Sequence, residues 1–308
     1  MHYEKLGLIW NPQDKHIWMK THATCPTPVL LDAETLRIYF QSRDNKGVGR
    51  AGYVDVNPDN PFHILKYSKD PVLDIGRPGA FDDNGVFPTC VIREADSNRL
   101  FMYYVGFELC THIRYRLLTG LAISDNRGEN FNKIQETPIL ERSPEELLFR
   151  CGPFVINQKG LYRMWYVAGS EWIDINGKSM PVYDLRHIVS NDGINWPTNG
   201  QPCMAISNPD EHGFGRPYII STPTSYRLFY SIRKSSLGQY RMGYAESADG
   251  LVWNRMDNAL ELDVSPEGWD STAIEFAAPI TIGEKSYLFY NGNDFGRDGI
   301  GLAILEGH

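Results

Sequence analysis

Short runs of apolar residues, separated by turn-forming residues, dominate the hydrophobic pattern of the chain. The runs are rich in Val, Ile, Tyr and Phe, and 28 Gly and 19 Pro residues divide them. Few windows of about 12 residues keep an apolar period of 3.6, and the best helical fragment, residues 143–150 (SPEELLFR), is short. This pattern predicts an all-β protein.

A proline that precedes strand-forming residues recurs five times along the chain, and an aromatic pair follows each copy. The prolines are Pro28, Pro88, Pro153, Pro217 and Pro279, at spacings of 60, 65, 64 and 62 residues. The aromatic pairs are Tyr39-Phe40, Tyr103-Tyr104, Trp165-Tyr166, Phe229-Tyr230 and Phe289-Tyr290. The proline and the aromatic pair each recur five times at nearly the same spacing, which indicates five copies of one structural unit.

Each copy continues with a strand of small residues, and a turn then leads into an aromatic strand. Gly120, Gly243 and Gly301 mark the small-residue strand, and His187 replaces the small residue in the third copy. The turns are clearest in residues 190–196 (SNDGINW) and 247–253 (SADGLVW), since Asp-Gly pairs favour tight turns. Four strands in each of five copies predict a five-bladed β-propeller that forms one domain over residues 1–308.

The two ends of the chain are predicted to meet in one blade. The last copy stops after its third strand, whereas residues 6–11 (LGLIWN) resemble the fourth-strand residues 249–254 (DGLVWN). We therefore expect the N-terminal strand to complete the last blade and to cover its edge. A pair of β-sandwiches is the alternative, but sandwiches do not keep a constant long period.

The composition argues against nucleic acids and membranes as partners. Lys and Arg number 30 against 38 Asp and Glu, which gives a net charge of −8, and no stretch of about 18 apolar residues is present. The five cysteines are widely spaced without a CxxC pattern, so we expect reduced thiols in a cytoplasmic protein. No cofactor is predicted, although a structural Ca²⁺ in the channel is compatible with the acids there.

The innermost strands of a propeller line a central funnel, so polar residues near the recurrent prolines are expected to meet there. Before the prolines stand His22, Asp82, Glu146, Arg150, Arg216, Asp270 and Glu275. Elsewhere in the copies stand Arg43, His187, Arg233 and Asn291. This is the composition of a carbohydrate site, where paired carboxylates divide acid and base roles, Arg and Asn hold hydroxyls or an anionic group, and aromatic faces stack on the sugar.

Several of these segments resemble the glycosidase-like five-bladed propellers, which include glycoside hydrolase families 43, 32, 68 and 130 and a branch often found with sugar-biosynthesis genes. The segments are residues 79–88 (GAFDDNGVFP), 215–217 (GRP), 226–233 (YRLFYSIR), 240–247 (YRMGYAES), 268–271 (GWDS) and 288–293 (LFYNGN). Families 43 and 32 place an Asp on the innermost strand of the first blade, an Asp on the second and a Glu on the third. Here His22 stands in the first position and Asp82 matches the second.

We therefore expect a glycosidase-like protein that cleaves or transfers a glycosidic bond of a small or oligosaccharide substrate, with an anionic substrate among the candidates. Asp82 and Glu275 are the expected paired acids, and Glu146 is a third candidate. The other polar candidates are expected to hold the substrate, with His22 in place of the missing acid. Two alternatives stay open: a non-hydrolytic enzyme of sugar or sugar-nucleotide biosynthesis, and a non-catalytic carbohydrate-binding propeller.

Each candidate also has a structural interpretation. Asp82 lies in an Asp-Asp-Asn-Gly sequence that is typical of a turn. Glu275 lies in an apolar run, where a carboxylate needs a partner or a raised pKa. The arginines are equally able to form salt bridges between blades.

Overall fold

The computed structural model describes residues 1–94 and 97–306, which are almost entirely strand and turn. The helical segments of this part of the chain are one 3₁₀ turn, Asp257–Ala259, and one short helix, α1 (Asn293–Gly296). Neither has the length or the apolar character that a helix needs to cross a membrane. The predicted all-β character is confirmed.

Antiparallel hydrogen-bond ladders group the strands into five sets that coincide with the five sequence copies, and we call these sets modules 1 to 5. The first strand of the chain, β1, spans Tyr3–Trp10. Module 1 contains β2 (Thr21–Asp32), β3 (Thr35–Arg43), β4 (Gly49–Val56) and β5 (Ile64–Tyr67). Module 2 contains β6 (Val86–Arg93), β7 (Leu100–Leu109), β8 (Tyr115–Ser124) and β9 (Asn132–Lys133).

The remaining modules repeat this order. Module 3 contains β10 (Phe149–Gln158), β11 (Leu161–Ile175), β12 (Lys178–Ser190) and β13 (Gln201–Met204). Module 4 contains β14 (Glu211–Ser221), β15 (Tyr226–Lys234), β16 (Tyr240–Ser247) and β17 (Asn254–Arg255). Module 5 contains β18 (Glu275–Ile282), β19 (Lys285–Asn291), β20 (Ile300–Leu305) and β1.

The pairing of β1 with β20 brings the start of the chain into module 5. The two strands are antiparallel, with Tyr3 opposite Leu305 and Leu8 opposite Gly301. The similarity of residues 6–11 to a fourth strand predicts this pairing. Short parallel bridges from β8 to β10 and from β12 to β14 join modules 2, 3 and 4 into one twelve-stranded sheet, so the ladders of the described residues form three sheets and no closed ring.

In modules 2 and 4, the second aromatic residue of the pair explains why the third strand carries a glycine. Tyr104 lies opposite Gly120, and Tyr230 lies opposite Gly243. A Cβ at Gly120 would lie 2.2 Å from Tyr104 Cζ, and one at Gly243 would lie 2.5 Å from Tyr230 Cζ. The tyrosine ring therefore occupies the space above the glycine, within the same module.

The first aromatic residue of the pair links neighbouring modules. Tyr103 donates a hydrogen bond to the Gly193 carbonyl (2.9 Å), and Trp165 Nε1 donates one to the Gly250 carbonyl (2.7 Å). Gly193 and Gly250 are the glycines of the two Asp-Gly turns and have left-handed backbone, which glycine adopts without steric cost. The first aromatic residue of the pair thus bonds to the Asp-Gly turn of the next module, both between modules 2 and 3 and between modules 3 and 4.

Candidate functional site

A cavity of about 420 Å³ lies where the five modules meet. The first strand of every module slips in register at the same point and forms a bulge there. Bulges re-aim side chains, and each one contributes a residue to the cavity. These residues are Cys25, Thr89, Gly152, Arg216 and Phe276. The volume falls within the range of about 300–1,000 Å³ that is typical of small-molecule sites.

Aromatic rings form much of the cavity wall. They come from four modules and include the α1 residue that follows module 5's second strand. The rings are those of Phe87, Phe107, Tyr115, Phe149, Tyr183, Tyr240, Phe276 and Phe295. Neutral hydrogen-bonding groups lie beside them on Thr24, Gln41 and Asn84. Rings and neutral polar groups in one wall are suited to the faces and hydroxyls of a sugar.

The charged residues that line the cavity are all cations. They are Arg43, Arg114, Lys178, Arg216 and Arg233. None of them takes part in an ion pair of the described residues. Within residues 1–94 and 97–306, no group of three His, Cys, Asp or Glu side chains is placed to hold a metal ion. The donor set of the cavity therefore suits an anion.

Arg216 closes the floor of the cavity. Its Nη1 donates to the carbonyls of Phe276 and Ala277 (both 3.0 Å), and its Nη2 donates to the Pro26 carbonyl (2.6 Å). Burial lowers the pKa of this guanidinium, as expected for a cation without a carboxylate. Arg216 therefore joins module 4 to modules 5 and 1, and its buried Nε has no hydrogen-bond partner within residues 1–94 and 97–306.

Arg233 lies under a cluster of tyrosines. Its guanidinium carbon is 4.7 Å from the centre of the Tyr240 ring, and the Tyr240 hydroxyl is hydrogen-bonded to the Tyr183 hydroxyl. The side chain is buried, and its Nε has no hydrogen-bond partner among the described residues. A buried guanidinium nitrogen that lacks an acceptor is costly in a folded protein, so Arg233 keeps an unmet donor beside the cavity.

Glu275 is the predicted acid that lies beside the cavity. It begins β18, is 1% exposed, and precedes the lining residue Phe276. Its Oε1 accepts a hydrogen bond from the Phe295 backbone N–H (3.1 Å), while its buried Oε2 has no hydrogen-bond partner in the described part of the chain. Burial raises the pKa of this carboxyl to about 8, although the charges of Arg233 and Arg43 act in the opposite direction. Glu275 is therefore mostly protonated near neutral pH.

Backbone strain is concentrated at the cavity floor. Cys25, Arg216, Phe276 and Phe295 all line the cavity and all have left-handed backbone, with φ of 58°, 40°, 58° and 62°. This conformation costs a residue other than glycine about 1–2 kcal/mol. Strain of this kind persists where the surrounding structure fixes it and is frequent at functional sites.

The structure brings together four of the residues predicted from the sequence and places the others elsewhere. Arg43, Arg216 and Arg233 line the cavity, and Glu275 adjoins it. The predicted pairing of Glu275 with Asp82 at one cavity is not seen, because Asp82 is held inside its own module.

Asp82 and Asp270 each belong to a contact that we call a tyrosine clasp, in which one carboxylate binds a tyrosine hydroxyl and a cation. In module 2, Asp82 Oδ2 accepts from the Tyr104 hydroxyl (3.0 Å) and lies 2.6 Å from Lys133 Nζ on β9. In module 5, Asp270 Oδ2 accepts from the Tyr290 hydroxyl (3.1 Å) and from Lys5 Nζ (2.7 Å). Both clasps tie the outermost strand of the module to its second strand.

Glu146 and Arg150 form the clasp of module 3. Glu146 Oε2 accepts from the Tyr166 hydroxyl (2.9 Å), and the carboxylate pairs with Arg150 and, at 3.2 Å, with Arg186. All four side chains are buried or nearly so. Module 4 has a similar contact, in which the Tyr230 hydroxyl donates to Asp257. The sequence predicts that Glu146 and Arg150 face a substrate, but neither lines the cavity.

The last three predicted residues also lie outside the cavity lining. His187 packs on Trp165, with ring centres 5.0 Å apart, and accepts a hydrogen bond from Arg163 Nε. Asn291 is fully buried and bonded to the backbone, accepting from the Cys25 N–H and donating to the Ala23 carbonyl. His22 is half-buried beside Arg43, and burial, together with the Arg43 charge, lowers its pKa to about 3, so it carries no charge near neutral pH.

The sequence reasoning missed Arg114 and Lys178, which lie at the ends of two long hairpins. Arg114 immediately precedes β8, and Lys178 begins β12. The available signal was length, because the stretch between Tyr166 and His187 is about twice as long as that between Phe40 and Ala51. An insertion in a repeat marks a loop that reaches beyond the common unit, and here it reaches the cavity.

Comparison with known proteins identifies relatives that match along the whole chain. The chain is 32% identical over 309 residues to the uncharacterized protein Rv1502 of Mycobacterium tuberculosis (strain ATCC 25618 / H37Rv), with 99% of this chain and 100% of that protein covered. No protein-family model matches the chain.

Solved structures show what fold these residues adopt. One described as a glycoside hydrolase superposes with a TM-score of 0.78 and 19% identity, covering 99% of this chain and 92% of its own. A thermostable family-43 glycoside hydrolase superposes with a TM-score of 0.69 and 15% identity, covering 96% and 93%. The resemblance to the glycosidase-like propellers is therefore confirmed at the level of the fold.

Proposed function

The chain belongs to the family of the mycobacterial protein Rv1502 and has the fold of the propeller glycoside hydrolases, and from this premise we propose that it is a carbohydrate-active protein. Its cavity binds a sugar conjugate, and Glu275 donates a proton to the oxygen of the glycosidic bond. In this proposal the five modules are the blades of one five-bladed propeller over residues 1–308, with β1 as the outer strand of the fifth blade.

The observation that carries the proposal is the state of Glu275. A general acid must be protonated at the working pH and must reach the substrate. Burial raises the pKa of Glu275 to about 8, and its Oε2 has no hydrogen-bond partner among the residues that the structure describes. The neighbouring Phe276 and Phe295 line the cavity, so a sugar stacked on the aromatic wall would lie next to this carboxyl.

A second candidate function is transfer of a sugar without hydrolysis, and the composition of the lining favours it. Hydrolysis by paired acids needs a second carboxyl group about 5–9.5 Å from the first. The cavity lining contains neither Asp nor Glu among the described residues, and Asp82, the expected partner, is engaged in its clasp. An acceptor that is already an anion attacks the sugar without losing a proton and so requires no such base, while the leaving group takes its proton from Glu275. A reaction of this kind fits the sugar-biosynthesis alternative.

A ligand screen followed by turnover tests the proposal. Free sugars, sugar phosphates, nucleotide sugars and oligosaccharides are ranked by the rise in melting temperature, because a ligand that binds only the folded state must raise it. The best ligands are then incubated with the protein, with and without acceptor sugars, and the products are quantified.

The decisive variant is Glu275→Gln, with Glu284→Gln in an exposed turn as the matched control. General acid catalysis contributes about 10²–10⁴-fold, so turnover should fall by that factor in Glu275→Gln while ligand affinity stays within about threefold. Glu284→Gln should behave as the wild type. Wild-type turnover in Glu275→Gln would overturn the role of Glu275, and tight binding without any product would identify a non-catalytic sugar-binding protein.

A further inference from the structure

We infer that the ligand of this cavity carries a phosphoryl group, and that Arg43 and Arg233 bind it. The inference deepens the proposed function, on which it rests for the sugar part of the ligand. The charges and the unmet hydrogen-bond donors of the cavity favour a phosphoryl group.

The cavity reverses the charge of the protein around it. The chain as a whole has a net charge of −8, yet the charged lining residues are four arginines and Lys178. A concave site of one charge sign concentrates counter-ions and draws charged ligands to itself. An acidic protein that keeps a purely cationic cavity is built to admit an anion.

The two buried arginines of the cavity, Arg216 and Arg233, differ from the other buried arginines of the described residues in lacking a carboxylate partner. Elsewhere buried arginines are neutralised, as in the pair of Arg37 with Asp55 (2.7 Å) and the pair of Arg150 with Glu146. Arg233 is buried, and among the described residues it has no ion pair and its Nε has no hydrogen-bond partner. An unpaired buried charge is destabilising, and an anionic ligand would supply the missing counter-charge.

Glu275 does not neutralise these arginines. Its raised pKa keeps it mostly uncharged near neutral pH, and a protonated carboxyl has an O–H to donate. Arg43 and Arg233 lie close enough for their charges to act on Glu275. A phosphoryl group, with a charge of up to about −2 and three acceptor oxygens, matches two guanidinium groups and one O–H. A uronate carboxylate, with one charge and two oxygens, would leave part of this set unmatched.

The cations of the cavity differ in exposure, from exposed side chains at its mouth to buried side chains at its floor. Arg114 and Lys178 are exposed, Arg43 is half-buried, and Arg216 and Arg233 are buried. Because the nitrogens Nη1 and Nη2 of Arg216 are bonded to backbone carbonyls, the guanidinium groups left to bind a phosphoryl group are those of Arg43 and Arg233. The phosphoryl group can belong to a sugar phosphate or to the diphosphate of a nucleotide sugar.

Isothermal titration at fixed ionic strength distinguishes these sources. The probes are inorganic phosphate, pyrophosphate, glucose 1-phosphate and UDP-glucose, with glucose, glucuronate and sulfate for comparison. We expect the phosphorylated probes to bind at least about tenfold more tightly than glucose and glucuronate, because charge-assisted hydrogen bonds are the strong ones. Tighter binding of glucose 1-phosphate would assign a sugar phosphate, and tighter binding of UDP-glucose would assign a nucleotide sugar.

Arg43→Gln and Arg233→Gln should each weaken the binding of the phosphorylated probes by about tenfold or more. Each variant should bind glucose with an affinity within about twofold of the wild type. Arg93→Gln, an exposed arginine of β6, is the control and should change neither. If Arg233→Gln fails to fold, Arg233→Lys, which keeps the charge, is compared with Arg43→Gln instead. Equal binding of glucuronate and glucose 1-phosphate, or full phosphate affinity in Arg43→Gln, would overturn the inference. These readouts need no turnover, so a failure of the catalytic proposal leaves them interpretable.

Discussion

The Phe295 backbone N–H donates a 3.1 Å hydrogen bond to Glu275 Oε1 from a residue with left-handed backbone. The same residue's carbonyl accepts a hydrogen bond from the Thr24 hydroxyl (2.6 Å). The backbone of Phe295 is thus held on both sides of its Cα, through the N–H by module 5 and through the carbonyl by module 1. This hydrogen bond orients the carboxyl of Glu275 through Oε1. The other oxygen, Oε2, has no hydrogen-bond partner among the described residues.

Glu275 should make the stability of the fold depend on pH. Its pKa is about 8 in the folded protein against an ordinary 4.5, so the folded state binds the proton more tightly. The resulting stabilisation is complete below about pH 4.5 and is lost as the pH rises toward and through about 8. Between pH 5 and 8, the free energy of unfolding of the wild type should therefore fall relative to Glu275→Gln by up to about 1.4 kcal/mol per pH unit.

Urea unfolding of both proteins at pH 5, 6, 7, 8 and 9 measures this difference, which should level off above pH 8. Glu284→Gln serves as the control and should run parallel to the wild type. A difference between wild type and Glu275→Gln that is constant over the whole range would show that Glu275 is ionised in the folded protein.

The clasp of module 2 predicts that Asp82 serves stability rather than ligand binding. Asp82→Asn leaves Lys133 without its counter-charge, and breaking a buried pair from one side costs about 3–5 kcal/mol. Because Lys133 is 18% exposed, we expect a loss near about 3 kcal/mol in urea unfolding. The double variant Asp82→Asn with Lys133→Met removes the stranded charge and should recover more than half of this loss.

Ligand affinity separates this role from a catalytic one. Asp82→Asn should bind the ligands identified by thermal shift as the wild type does, and Asp83→Asn is the neighbouring control with little effect on either property. A folded, stable Asp82→Asn protein that loses turnover would instead support the acid–base role expected from the sequence.

The repeat and its strands could be predicted from the sequence because they depend on local pattern. The proline, the aromatic pair, the small residue and the Asp-Gly turn are short-range marks, and their period located β1 against β20. The structure adds the physical reason for the small residue and for the Asp-Gly turn. The ring of Tyr104 lies above Gly120, and Trp165 donates a hydrogen bond to the Gly250 carbonyl.

The direction in which an acidic side chain points could not be predicted in this way. Asp82 precedes the first strand of its module and Glu275 begins the first strand of its own, yet Asp82 is bound by Lys133 from the outer strand of module 2, whereas Glu275 contacts Phe295 beside the cavity. The partner that decides the outcome lies about fifty residues away in one case and twenty in the other. Periodicity carries no information about such pairings.

The close contact of Gly120 with Tyr104 predicts that a single methyl group is destabilising. In Gly120→Ala the Cβ would lie 2.2 Å from Tyr104 Cζ, and the ring cannot move away because its hydroxyl is held by Asp82. Overpacking of this kind costs about 1–3 kcal/mol, and we expect the upper end in thermal or urea unfolding. Gly85→Ala is the comparison, because its Cβ would come no closer than 3.3 Å to Phe107 Cβ. A wild-type stability in Gly120→Ala would contradict the packing described for the third strands.

The exposed cations at the cavity mouth should act on the rate of association. Arg114 and Lys178 make no ion pair with the described residues and lie at the entrance, so their charges guide an anion inward without desolvating it. In stopped-flow binding of UDP-glucose, Arg114→Gln with Lys178→Gln should lower the association rate several-fold at about 0.02 M salt. The difference should vanish near 0.5 M, where the screening length is only a few ångströms.

Lys69→Gln, an exposed lysine of module 1, is the control for the loss of positive charge in general and should leave both rates unchanged. Arg43→Gln, in contrast, should raise the dissociation rate at every salt concentration, because it removes a direct contact. If the double variant at the mouth also changed mainly the dissociation rate, Arg114 and Lys178 would be binding the anion themselves, and the two hairpins would belong to the bound complex rather than to its approach.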